Sequence, residues 1–166
     1  DIEKTTGGAC YEDLIKKITK KTKCIALSAI NGRISESIFK IVKLAKNRKI
    51  PILIDGASAL GSTKNGIPIL SLADISITSF SNSKLISSGQ GGAVFTNKKK
   101  LSEKIKTYKN FGRKKLSDDL FKHFGLNFKI SDILCLLANT QIKRIQSIKK
   151  GKQRVFKRYI ANLGKN

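Results

Sequence analysis

Two short, almost wholly apolar runs, Cys24–Ile30 and Ile50–Ile54, bracket a segment in which Ile38, Ile41, Val42 and Ala45 recur with the period of a helix. This triplet constrains the fold more than any other feature of the chain. A strand without polar alternation must be buried on both faces, which is the situation in a parallel sheet whose crossover helices cover it. Asn31-Gly32 closes the first run, and Asn47–Lys49 breaks the helical pattern before the second. Upstream, Tyr11, Leu14, Ile15 and Ile18 mark another one-faced helix. Downstream, short strands are predicted at Ile75–Phe80 and Gly92–Thr96, then a helix carrying Leu101, Ile105 and Tyr108 on one side. The expectation is an α/β protein in which residues 1–110 form one sheet domain. Residues 111–128 read as polar and irregular. A helix capped by Ser131 follows, with Leu134, Ala138, Ile142 and Ile145 on one stripe, and the basic and apolar residues from Gly151 to Asn166 read as a further helix.

With 166 residues, 40% of them hydrophobic, the chain can bury a sizeable core. It contains no methionine, so Asp1 is read as an internal residue of a longer chain. No apolar run is long enough to cross a membrane, and a signal-peptide pattern is missing from the first residues. Cys10, Cys24 and Cys135 lack metal-site spacing, so no metal is expected and they read as reduced thiols of a cytoplasmic protein. The net charge of +23 raises the alternative of a nucleic-acid-binding domain. Against it, the lysines are spread through every predicted element, and aromatic residues, the platforms for base stacking, make up only 7%.

Ligands of open α/β sheets bind beyond the carboxyl ends of the strands. Three groups of residues fall there: Asp55, Ser79 together with Lys84, and the run Gly89-Gln90-Gly91-Gly92. A lysine amine that can attack a carbonyl, a carboxylate that can keep a pyridine nitrogen protonated and a hydroxyl for a phosphate suit pyridoxal 5'-phosphate (PLP). Each residue also has a plainer reading: Asp55 as a turn residue, Lys84 as one of many lysines, and the glycines as a tight turn.

The ordered motifs resemble the DegT/DnrJ/StrS family of nucleotide-sugar aminotransferases, particularly its perosamine-synthase-like members. Asp55-Gly56-Ala57-Ser58-Ala59-Leu60-Gly61 resembles the family's Asp-Ala-Ala-Gln-Ala-x-Gly, and Ser79-Phe80-Ser81-Asn82-Ser83-Lys84 its Ser-Phe-x-x-x-Lys. Ser88-Gly89-Gln90-Gly91-Gly92-Ala93 is similar to Thr-Gly-Gln-Gly-Gly-Ala, Asn110-Phe111-Gly112-Arg113 to Asn-x-Gly-Arg, and Gly125-Leu126-Asn127-Phe128-Lys129 to Gly-x-Asn-Phe-Lys/Arg. Ser58 stands where the family carries Gln or His. Gly56 stands where it carries Ala, a change expected mainly to loosen the backbone.

The resemblance implies fold type I of the PLP-dependent enzymes, with a mostly parallel sheet. Residues 1–110 would be the second half of the large cofactor-binding domain, and 111–166 the segment leading into a small C-terminal domain. It implies Lys84 as the catalytic residue and Schiff-base partner of PLP, Asp55 at the pyridinium nitrogen, Ser58 near the ring and Ser79 at the phosphate. Asn127 would reach the phosphate of a neighbouring subunit, making a homodimer. The implied reaction moves an amino group, from glutamate, to a keto group of a nucleotide-linked deoxysugar in amino-sugar or surface-polysaccharide biosynthesis. Lys84 argues against the family's lysine-lacking dehydratases, and an inactive or regulatory relative is the other reading within the family. Residues 1–166 alone are expected to be inactive and to expose a sheet edge and apolar surface.

Overall fold

The computed structural model describes residues 1–115, 117, 120–121 and 123–163. Helix α1 (Tyr11–Lys17) precedes strand β1 (Ile25–Ser28), helix α2 (Ile38–Asn47) and strand β2 (Ile52–Asp55). A two-stranded hairpin of β3 (Thr63–Lys64) and β4 (Ile67–Pro68) leads to β5 (Ile75–Ser79) and β6 (Gly92–Phe95). Helices α3 (Lys99–Tyr108), α4 (Asp132–Lys143) and α5 (Ile145–Leu163) complete the described chain. The main sheet has the order β1-β2-β5-β6, with the first three strands parallel and β6 antiparallel. It is the mostly parallel α/β sheet that the sequence predicts.

The core forms where the apolar periods agree. Ile25 and Leu27 of β1 and Ile52 and Ile54 of β2 are buried with Ile38, Ile41 and Ala45 of α2. α2 ends where the pattern breaks, at Asn47, with Lys49 in a left-handed conformation (φ 56°). Its start is secured from a distance. The Ser37 hydroxyl makes no capping bond; instead the Glu3 carboxylate accepts the Glu36 and Ser37 amides (2.8 and 3.4 Å) and the Ser35 and Thr6 hydroxyls (2.6 Å each). Burial alone would raise the Glu3 pKa, but these hydrogen bonds outweigh it and hold the carboxyl below its ordinary value. Asp74 behaves in the same way: the effect of its burial is overcome by Lys98 and by the Ile52 amide, which donates to it at 2.7 Å.

Two expectations need correction, and one element is new. Ser131 occupies the N-cap position of α4, but its hydroxyl makes no capping bond. The Leu134–Ile145 stripe does not belong to one helix, because Arg144 leaves helical geometry and Ile145 opens α5. The β3–β4 hairpin was not anticipated, although Asn65 and Gly66 (φ 51° and 77°) form the left-handed pair that tight hairpins favour. The expected final helix is followed to Leu163. Residues 164–166, like 116, 118, 119 and 122 of the stretch expected to be irregular, lie outside the described residues.

The expected open surfaces are present. β6 is an edge strand among the described residues, with Val94 and Phe95 exposed. Phe156, Tyr159, Ile160 and Leu163 of α5 are exposed as well.

Candidate active site

Parallel pairing brings the ends of β1, β2 and β5 into line. Ser28 is the register partner of Asp55, and Asp55 that of Ile77, two residues before Ser79. Asp55 is exposed at the strand end, and its Oδ1 accepts the Ala57 amide at 3.0 Å. The chain then turns through Gly56–Gly61, putting Ser58 on the surface.

Gly56 does more than loosen this turn. It is buried, and a Cβ there would meet Leu70 Cδ2 at 2.1 Å and the Ile77 carbonyl at 3.1 Å. An alanine methyl here would have to displace the end of the Leu70 side chain and crowd the Ile77 carbonyl, so this position also bears on packing.

Beyond β5 the chain makes a compact loop. The Phe80 amide donates to Gly91 O (2.9 Å), the Ser88 amide returns to Phe80 O (2.9 Å) and the Lys84 amide donates to Ser81 O (3.0 Å). Ser79 donates its hydroxyl to Ser81 Oγ and accepts the Ser81 amide, both at 3.2 Å. Lys84, half-buried, donates from Nζ to Ser58 Oγ at 3.1 Å. Residues 26 apart in sequence thus meet across two loops at one end of the sheet.

Asp55, Ser58, Ser79 and Lys84 therefore lie on the strand ends or on the loops leaving them. Asn127 is exposed, bridges to Asn110 and accepts the Lys129 amide at 3.4 Å, so these bonds do not join it to the other four. Gly112 and Gly125 approach each other closely there, since a Cβ on Gly125 would lie 2.1 Å from the Gly112 nitrogen. Arg113 stacks on Phe111 and Phe121, and His123 packs edge-on against Tyr108, so both have packing partners here. A cleft of about 770 Å³ runs along β6 between Val94, Tyr108, Ile130 and Leu134, and does not include Asp55, Ser58 or Lys84.

The model of the DegT/DnrJ/EryC1/StrS aminotransferase family matches residues 1–166. The chain belongs to this family. A DegT/DnrJ/EryC1/StrS relative, the UDP-4-amino-4,6-dideoxy-N-acetyl-beta-L-altrosamine transaminase of Campylobacter jejuni, is 33% identical over 167 residues, covering 98% of this chain and 44% of its own length. Among solved structures, Helicobacter pylori PseC, an aminotransferase involved in the biosynthesis of pseudoaminic acid, superposes with a TM-score of 0.80 at 31% identity, over 87% of this chain and 39% of that one. The PLP form of Spr1654 from Streptococcus pneumoniae shares the fold at 24% identity (TM-score 0.86, 99% of this chain and 47% of that one). The fold is accordingly type I of the PLP-dependent enzymes. The chain spans less than half the length of these proteins. No helix among the described residues is long and apolar enough to cross a membrane.

Two contributors escape a reading of the sequence. Ser28 lies beside Asp55 at the strand ends, a neighbour that only the register reveals. Gln141 reaches the loop after Lys84, and its one sequence signal is an amide beside an apolar stripe.

Proposed function

We propose that the whole protein is a PLP-dependent aminotransferase that passes an amino group, from glutamate, to a keto group of a nucleotide-linked deoxysugar, in the making of amino sugars for a surface polysaccharide or related glycan. The observation carrying this reading is the 3.1 Å contact between Lys84 Nζ and Ser58 Oγ, at the sheet end where Asp55 closes β2.

The donor set fits the cofactor's chemistry: an amine for its aldehyde, an exposed carboxylate for its ring nitrogen and hydroxyls at the end of β5 for its phosphate. When bound, PLP supplies the electron sink for the carbon that loses its proton. Lys84 would hold the aldehyde and, once released from it, would move a proton between the substrate carbon and the cofactor carbon as general base. Asp55 offers negative charge to the protonated ring nitrogen. Its acceptance of the Ala57 amide fixes the direction of the carboxylate. Ser58, shorter than the Gln or His common in the family, serves as a hydrogen-bond acceptor for the Lys84 amine. Ser79 binds the phosphate.

Asn127 belongs to the phosphate site of a second subunit in a homodimer, which agrees with its exposed position. Residues 1–110 form the second half of the cofactor-binding domain, and 111–166 lead into the C-terminal domain. The protein works in the cytoplasm, where nucleotide sugars are made.

The test is transfer of label from [¹⁵N]glutamate to UDP-, GDP- and dTDP-linked 4-keto-6-deoxysugars, using the full-length protein and mass spectrometry. Labelled amino sugar from wild type and none from Lys84→Ala is the expected outcome. Label transfer that persists in Lys84→Ala contradicts the role of Lys84.

A further inference from the structure

The loop that carries Lys84 is held by one side chain from a distant helix. Gln141, in the last turn of α4, accepts the Ser87 amide at Oε1 (3.1 Å) and donates from Nε2 to the Ser87 carbonyl (2.6 Å). A single carboxamide thus takes both main-chain polar groups of a residue three positions after Lys84.

One turn before Gln141 on the same helix, Ala138 is buried with Ile86 and Phe80, so the apolar contact and the amide clasp fix the same loop. The following elbow holds the other loop. Lys149 of α5 donates to the Gly61 carbonyl at 2.7 Å, at the end of the turn that bears Ser58, and Ile145 and the Lys149 stem pack over Gly61.

We propose that Gln141 is a positioning residue for Lys84. The α4–α5 elbow grips the Lys84 loop at Ser87 and the Ser58 loop at Gly61, and thereby sets the distance between the amine and its hydroxyl partner. This rests on the assignment of Lys84 as the PLP lysine. An apolar side chain at position 141 could fill the volume but would leave the Ser87 amide and carbonyl unpaired. The amine would then be displaced from its working position, and misplacement of about 1 Å is enough to slow a reaction on the order of a hundredfold.

The test uses the full-length protein, freed of cofactor, in wild-type, Gln141→Leu and Gln141→Glu forms. Three quantities are read: amide hydrogen exchange around Ser87, the rate of covalent capture of added PLP at Lys84 by borohydride, and the pH dependence of that rate. In Gln141→Leu, exchange at Ser87 rises while the β1–α2–β2 core keeps its protection, and capture slows on the order of tenfold. Gln141→Glu preserves size and shape, so it serves if the leucine variant does not fold. Its carboxylate repels the Ser87 carbonyl, whereas its protonated form can both donate and accept as the amide does. The expected result is a capture defect that shrinks as pH falls, relative to wild type at each pH. Capture by either folded variant at the wild-type rate and with the wild-type pH profile overturns the positioning role. Wild-type protein that captures no PLP at Lys84 overturns the proposed function instead, and with it the premise of this inference.

Discussion

The β1–α2–β2 unit and the α4–α5 arm have comparable apolar content and opposite fates. In the first, Ile25, Leu27, Ile38, Ile41, Ile52 and Ile54 are all buried against one another. In the second, Ile133, Leu136, Phe156, Tyr159 and Leu163 are exposed, and only Ala138 is fully buried. A helix period says which residues share a face but not what that face meets. The arm's inward side meets the two site loops through Gln141, Lys149, Ile145 and Ala138, while Ile133, Leu136, Phe156, Tyr159 and Leu163 stay exposed. One unit therefore makes the platform, and the other grips the loops that stand on it.

The comparison breaks most readily at the core. Ile54→Ala removes a side chain with no exposure and is expected to cost about 2–5 kcal/mol in chemical denaturation. A loss below about 1 kcal/mol would mean that this unit does not carry the stability.

Glu3→Gln is expected to cost less, about 1–2 kcal/mol, by weakening the bonds that secure the start of α2. The same carboxylate gives the unit an acid limit. Glu3 and Asp74 have pKa values lowered on folding from 4.5 and 3.8, so their contribution is present above those values and is lost as pH falls through the lowered ones. Unfolding midpoints followed downward from pH 5 should fall, and Glu3→Gln should flatten the slope. An unchanged slope would remove Glu3 from the account.

The smallest effect belongs to the arm. Phe156→Ser on α5 should change unfolding of residues 1–166 by less than about 0.5 kcal/mol while reducing their self-association in sedimentation measurements. A large loss of stability would mean that this face is buried in solution and that the contrast with the core is false.

The same contrast explains what is legible in the sequence. β1, α2 and β2 are legible because period and burial coincide at Ile38, Ile41, Ile52 and Ile54. The break at Arg144 is hidden, because the stripe from Leu134 to Ile145 continues across it. β3 and β4 have two residues each, too few to show a period, and the antiparallel direction of β6 leaves no mark in its composition. At the candidate site, the strand-end positions of Asp55 and Ser79 follow from the strands themselves. The meeting of Lys84 with Ser58 and the clasp of Gln141 on Ser87 depend on contacts across 26 and 54 residues, which no local pattern encodes.

The central claim, that Lys84 is the cofactor lysine on this platform, is tested most directly by the absorbance of the full-length protein with PLP, before and after borohydride reduction, beside Lys84→Ala. The account predicts a visible band in wild type that borohydride converts into a covalent adduct, mapped to Lys84 by peptide mass spectrometry, and no such adduct in the variant. No band in wild type, or the same band and adduct in Lys84→Ala, would contradict it.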